Sequence, residues 1–240
     1  MSRLRALARD ESGFSVTELL MAMSIGSIVL WALMQFFVTG IKSSNELSDR
    51  VEAAQRGRLA MDRVTTLMDS MLCLNAATPP VVAGSTGTSV TFYADLAGAS
   101  ATPVKYQLTY DAATKQLNEA QYVGQGALPG AITYPGSPTR TRVLATNVVP
   151  ARDGAGAQQP VFRYYAFQAD GTVNEAAPLA VPLTAGDAST VVRVAAQFRA
   201  NPERTKAEDP RSSLIAGQSI VASADANTPA AGPNCYDDAS

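Results

Sequence analysis

Residues 13–20 read Gly13-Phe14-Ser15-Val16-Thr17-Glu18-Leu19-Leu20, and the chain then continues MAMSIGSIVLWALMQFFVTGI to Ile41. From Leu19 to Ile41, 23 positions pass without a charged residue. As a helix that run is about 34 Å long, enough to cross a hydrocarbon core of about 30 Å. Its polar members are few (Ser24, Ser27, Gln35 and Thr39), and Trp31 is the chain's single tryptophan. Core helices of soluble proteins seldom run so far without charge. Glu18 is the acid at the edge of this segment. A carboxylate inside a membrane costs about 2.5–3.5 kcal/mol at the helix centre, and less towards an end. No Lys or Arg lies within the run to pair with it. Either Glu18 snorkels to the headgroups, or a partner comes from elsewhere.

The flanks orient the segment. Arg3, Arg5 and Arg9 precede it, with Asp10 and Glu11, and Lys42 follows. A short N-terminal stretch with three arginines favours the cytoplasmic side, which sends the residues from Lys42 onward out of the cytoplasm. A secretory signal has a shorter apolar region, about 7–15 residues, ending in a small-residue cleavage site. Val38-Thr39-Gly40 is a poor site of that kind, so a retained anchor fits better.

Composition narrows the function. The chain has 240 residues, 46% hydrophobic and 17% charged, so a packed core is feasible. Nineteen basic residues stand against 21 acidic ones, a net charge of -2. That balance disfavours a nucleic-acid-binding domain driven by overall charge. The absence of histidine removes Ser–His–Asp and Cys–His catalysis and histidine-based metal sites. Phosphate-loop, serine-hydrolase, zinc-protease and EF-hand motifs are missing too. The acids Asp225, Asp237, Asp238, Glu208 and Asp209 read as solvated surface charge. No catalytic residue, metal or cofactor is expected, and the chain is not expected to be an enzyme.

The order of elements around Gly13 resembles the class III signal of type IV prepilins and pseudopilins: a basic leader ending in glycine, then Phe14, three uncharged residues, Glu18 and a long apolar helix. The resemblance covers roughly residues 1–41. It implies that prepilin peptidase cuts between Gly13 and Phe14 on the cytoplasmic side and methylates the new amine of Phe14. Gly13 suits that step because a residue without a side chain lets the backbone enter a protease cleft closely. Glu18 takes the family's assembly glutamate. It pairs with the N-terminal amine of a neighbouring subunit, which is the partner the apolar run lacks. Ser15-Val16-Thr17 departs slightly from the family's commoner Phe-Thr-Leu pattern. The partners implied are prepilin peptidase, other major and minor pilins, an inner-membrane assembly platform and membrane lipid. A nucleic-acid partner is left open. Gly26 would let another helix approach closely, although simple tolerance explains it equally well.

Beyond the anchor, no proline occurs from Ile41 to Leu74. Leu47, Val51, Ala54, Met61, Val64, Met68 and Met71 recur at helical steps if Arg58 fills the gap, which predicts an amphipathic helix packed along one stripe. Glu46–Arg50, Glu52–Arg56 and Arg58–Asp62 are i,i+4 pairs for its solvent face. Gly57 reads as a weak point, about 1 kcal/mol worse than alanine. Asn75 and Pro79-Pro80 are expected to end the helix. Alternation then predicts strands over 89–94, 104–110, 116–123, 142–149, 161–168, 190–199 and 213–222, with turns at 111–114 and 170–171.

This head is similar to the PilW- and J-type minor pilins and pseudopilins. The cues are Thr91-Phe92-Tyr93-Ala94-Asp95, Pro160-Val161-Phe162-Arg163-Tyr164-Tyr165 with Asp170-Gly171, and Val191-Val192-Arg193-Val194. The fold expected is α+β, a long transmembrane-plus-amphipathic helix packed on an antiparallel β-sheet head, pilin-like. Its divisions are a cleaved leader (1–13), a transmembrane helix (14–41), the extracytoplasmic half of that helix (42–75), a β-rich head (76–222) and a C-terminal tail (223–240). The head's aromatics are expected in the core and in cross-strand pairs. Cys73 and Cys235 would both lie outside the cytoplasm, where a disulfide persists; two free buried thiols are the alternative. The expected role is a minor pilin or pseudopilin subunit of a type IV pilus or type II secretion-like filament. A membrane-anchored binding module at a filament tip is the second reading, and a tethered enzyme the third.

Overall fold

The computed structural model describes residues 15–74, 78–96, 102–126, 131–203 and 212–221. The chain divides into two units, Met1–Ser48 and Asp49–Ser240. Helix α1 (Val16–Asp69) begins in the first and ends in the second.

The second unit is a helix segment on two antiparallel sheets. In the first sheet β1 (Ser89–Ala94), β2 (Val104–Asp111), β3 (Gln116–Val123) and β4 (Arg140–Ala145) pair in chain order. The β2–β3 turn is closed by Asp111, whose Oδ1 accepts the Ala113 N–H at 2.8 Å and whose Oδ2 accepts the Thr114 hydroxyl at 2.7 Å. Such local side-chain bonds are why Asp favours turns. In the second sheet β7 (Arg193–Ala200) is central. On one side it pairs with β8 (Ser213–Ile220), and on the other with β6 (Phe162–Tyr165) and the short β5 (Val148–Val149). The architecture is the expected α+β one.

The core lies where the inward faces of both sheets meet α1. Val64, Leu67 and Met68 from the helix join Phe92, Leu108, Phe162, Tyr164, Val194 and Phe198 from the strands, all buried. Phe92 stands opposite Tyr106 in the β1–β2 register, with ring centroids 6.0 Å apart. Tyr164 is buried with its hydroxyl 2.9 Å from the Thr86 carbonyl oxygen, so its polar tip is satisfied.

From Met61 onward the expected stripe is buried, with Met61, Val64, Met68 and Met71 all in the core, but before it the helix contact moves to other positions. Leu47 and Val51 are exposed, and so is Leu59; the buried positions are Ala53, Gly57, Ala60, Met61, Val64, Leu67 and Met68. Small residues carry the upper part of this contact. A Cβ at Gly57 would lie 2.9 Å from both Ala200 Cβ and Ile215 Cγ1. One at Gly217 of β8 would lie 2.6 Å from Thr65 Cγ2 and 2.7 Å from Met61 Sδ. Gly57 is therefore a place of close approach, and helix propensity gives the wrong sign for its replacement. Gly57→Ala is expected to lower the melting temperature by a few degrees, since an overpacked core costs about 1–3 kcal/mol while the propensity gain is about 1. A thermal melt that rises would refute this contact.

The helix also stops earlier than the prolines suggest, at Asp69. The chain beyond it is recruited by β1. The Asp95 N–H donates to the Ser70 carbonyl at 3.1 Å, and the Leu72 N–H donates to the Tyr93 carbonyl at 3.0 Å. Further along, the Val82 N–H reaches Thr91 at 2.8 Å and Pro80 accepts from Tyr93 at 2.9 Å. The outer edge of β1 is thus covered by its own chain, which blunts it against other strands. Asn75 lies outside the described residues.

Three strands differ from expectation. The 142–149 segment breaks at Asn147, which has φ of +52°, giving β4 and β5 instead of one strand. The 161–168 strand is only β6. The start of the 190–199 strand is instead the end of α2 (Ala185–Thr190), which is opened by a capping box between Thr184 and Asp187. Arg56, expected to pair with Glu52, forms an ion pair with Glu203.

Candidate functional site: the prepilin-like N-terminus

Of the sequence-predicted site residues, Glu18 and Cys73 lie within the described residues; Gly13, Phe14 and Cys235 lie outside them. Ser15 precedes α1, and its carbonyl accepts the N–H groups of Glu18 and Leu19 at 3.0 Å each, which closes the first turn. Glu18 sits in that turn. A carboxylate is favoured there by the positive end of the helix dipole, worth about 0.3–1 kcal/mol. Its side chain is exposed and has no partner among the described residues. The Ser15 and Thr17 hydroxyls lie 2.5 Å apart beside it.

The helix that follows is built for an apolar surround. One window of it has a mean hydropathy of 1.9, long and apolar enough to cross a membrane, and none of it is buried in the protein. Trp31 and Phe36 stand fully outward, the latter 81% exposed. The polar side chains inside the run bond to the helix's own carbonyls. Ser24 donates to Met21 at 2.8 Å, Ser27 to Ser24 at 2.8 Å and Thr39 to Gln35 at 2.9 Å. Hydroxyls satisfied in this way present little unmet polarity to lipid.

Cys73 follows the helix by four residues and is half-buried, next to Leu72, whose N–H is tied to β1. The expected position at the helix end is therefore corrected to the extended segment beyond it.

In the second unit one ion pair ties the helix to the first sheet. Arg63 of α1 donates from Nε and Nη2 to both oxygens of Glu119 on β3, at 3.1 and 2.9 Å. The Glu119 side chain is only 3% exposed. Gln121 adds an amide donor to Glu119 at 3.2 Å and lies 3.3 Å from the Tyr106 hydroxyl. The hydrogen bond to Glu119 holds the Arg63 guanidinium above its ordinary range. Burial pushes the Tyr134 hydroxyl up to about 12 and raises that of Tyr164 further. These shifts move away from neutrality, so neither phenol is poised as a base or nucleophile. Among the described residues no three of His, Cys, Asp and Glu come together to hold a metal. Sequence reasoning missed the Arg63–Glu119 pair, although the inward register of Glu119 between Leu117 and Gln121 would have placed it.

Comparison with known families finds a match over residues 8–34 to the prokaryotic N-terminal methylation motif. No curated protein and no solved structure matches the chain. The matched span holds the end of the basic leader, Gly13, Phe14, Glu18 and the anchor through Met34, and over that span the chain is type IV prepilin-like.

Proposed function

We propose that this chain is a minor pilin or pseudopilin, cut by prepilin peptidase between Gly13 and Phe14, methylated on the Phe14 amine and assembled into a type IV pilus or type II secretion-like filament. The observation that carries the reading is the methylation-motif match at 8–34, set against an exposed apolar helix that begins at Val16. The leader and its arginines stay in the cytoplasm, and the sheet-bearing unit lies outside it. The long head relative to the anchor supports an accessory subunit. In the filament the Glu18 carboxylate pairs with the Phe14 amine of a neighbour, and peptidase, partner pilins and the assembly platform are its contacts.

The same reading includes a disulfide between Cys73 and Cys235. It is supported by the oxidising compartment and by the absence of a free thiol among the described residues. Closing a loop of about 160 residues stabilises the fold by on the order of 5 kcal/mol in the chain-entropy model. It would fasten the C-terminal segment beside β1.

Mass spectrometry of the mature protein, digested without reductant, tests both parts. The expected fragments are an N-terminal peptide starting at N-methyl-Phe14 and a cross-linked pair containing Cys73 and Cys235. An intact leader in cells that hold the peptidase would overturn the processing reading. Two separately alkylated thiols would overturn the bridge.

A further inference from the structure

The outward face of the second sheet carries a cleft of about 360 Å³ that the filament reading does not use. The strand registers set its walls. Arg163 of β6 stands opposite Ala195 of β7, which stands opposite Gln218 of β8; in the next row Tyr165 faces Arg193. Ala195 and Ala216 are small, so the middle of the face is recessed between longer side chains. Arg193 is 8% exposed, an unusual depth for a cation. Its Cζ lies 4.4 Å from the centre of the Tyr165 ring. Its Nη1 donates to Glu175 at 2.6 Å, and Glu175 is itself 72% exposed. Arg163 bonds the Gln197 amide oxygen and has no carboxylate partner among the described residues. The Nε groups of both arginines are enclosed and without a hydrogen-bond partner.

Of these two guanidinium groups only Arg193 has a carboxylate among the described residues, and that carboxylate is exposed to solvent. A buried, aromatic-backed arginine holding a loosely exposed acid has the form of a site occupied by an exchangeable group. An incoming carboxylate can take the place of Glu175 on Arg193 and reach Arg163, with bidentate geometry available to both. The amides of Gln197 and Gln218 flank the same cleft and suit the backbone of an extended peptide. A nucleic acid would call for a broad positive field, which a chain of net charge -2 does not provide. We propose that the Arg163–Arg193 cleft on the β6–β7–β8 face binds a carboxylate-bearing segment of a partner protein, with Glu175 as the internal competitor. This stands independently of the processing and assembly of the N-terminus.

The test is fluorescence anisotropy with the full chain in detergent at low salt. The probe is a labelled octapeptide alternating glycine and glutamate, compared with its glutamine counterpart and a labelled oligothymidine. The acidic peptide is expected to bind more tightly than either control. Arg163→Gln should weaken it about tenfold, the range of one lost charge-assisted contact. Glu175→Gln, at an exposed position that leaves folding intact, should tighten it several-fold, which a purely structural ion pair would not do. Unchanged or weaker binding by Glu175→Gln overturns the proposal. So does equal binding of the glutamine peptide, or oligothymidine binding as tight as the acidic peptide's.

Discussion

Glu18→Ala is expected to give a precursor that is cleaved normally and then fails to enter the filament. The helix around position 18 does not need the carboxylate: Ser15 closes the first turn through its carbonyl, and alanine is the better helix former. Membrane insertion becomes easier without the acid. On the proposed assembly, what disappears is the counter-charge for a neighbour's terminal amine. In a low-dielectric surround an amine left without its partner is penalised by about 3–5 kcal/mol, or roughly two to four orders of magnitude in the equilibrium. The measurement is the ratio of this subunit in sheared filaments to that in membranes, with wild type and Gly13→Asp alongside. Gly13→Asp should hold the leader on, so it separates a processing defect from an assembly defect. Normal incorporation of Glu18→Ala would sink the electrostatic account even with the leader trimmed.

The second large effect is in the head. Arg63→Ala leaves the Glu119 carboxylate inside the helix–sheet interface with one amide donor from Gln121 in place of a bidentate guanidinium. Breaking a buried pair from one side costs about 3–5 kcal/mol. For a unit of this size that lowers the melting temperature by roughly 10 °C. Arg63→Leu combined with Glu119→Leu should recover most of the loss, because apolar side chains of similar volume remove both desolvation penalties together. The readout is near-ultraviolet circular dichroism against temperature on the detergent-solubilised chain. If the single and double variants melt alike, the pair is not what ties α1 to β3.

The parts legible in the sequence are those where one physical signal dominates. The anchor shows itself because 23 residues lack charge. Strands β1 to β3 are legible because alternation holds within each, and Asp111, whose side chain makes the turn, divides β2 from β3. The buried stripe is legible from Met61 to Met71 but not before it, because there Leu47, Val51 and Ala54 carry the apolar signal while Ala53, Gly57 and Ala60 make the contact. Hydrophobicity ranks size, and here closeness matters more. Helix α2 is six residues long, too short for a period to show, though Thr184 and Asp187 form a recognisable cap. Spacing pairs Arg56 with Glu52; the ion pair it makes is with Glu203, 147 residues further along the chain, which local spacing cannot see. The Arg163–Arg193 cleft was invisible for the same reason. It needs three strands laid side by side before its charges stand together.

Under the proposed filament role, the notches at Gly57 and Gly217 bear on how the subunit would carry load. A pull along the helix axis meets shear at the α1–β7–β8 contact. There, each residue of slip, about 1.5 Å, would drive a methyl group or a sulfur atom into space that only hydrogen can occupy. Resistance to such slip would come from steric interlock as well as from the hydrophobic effect.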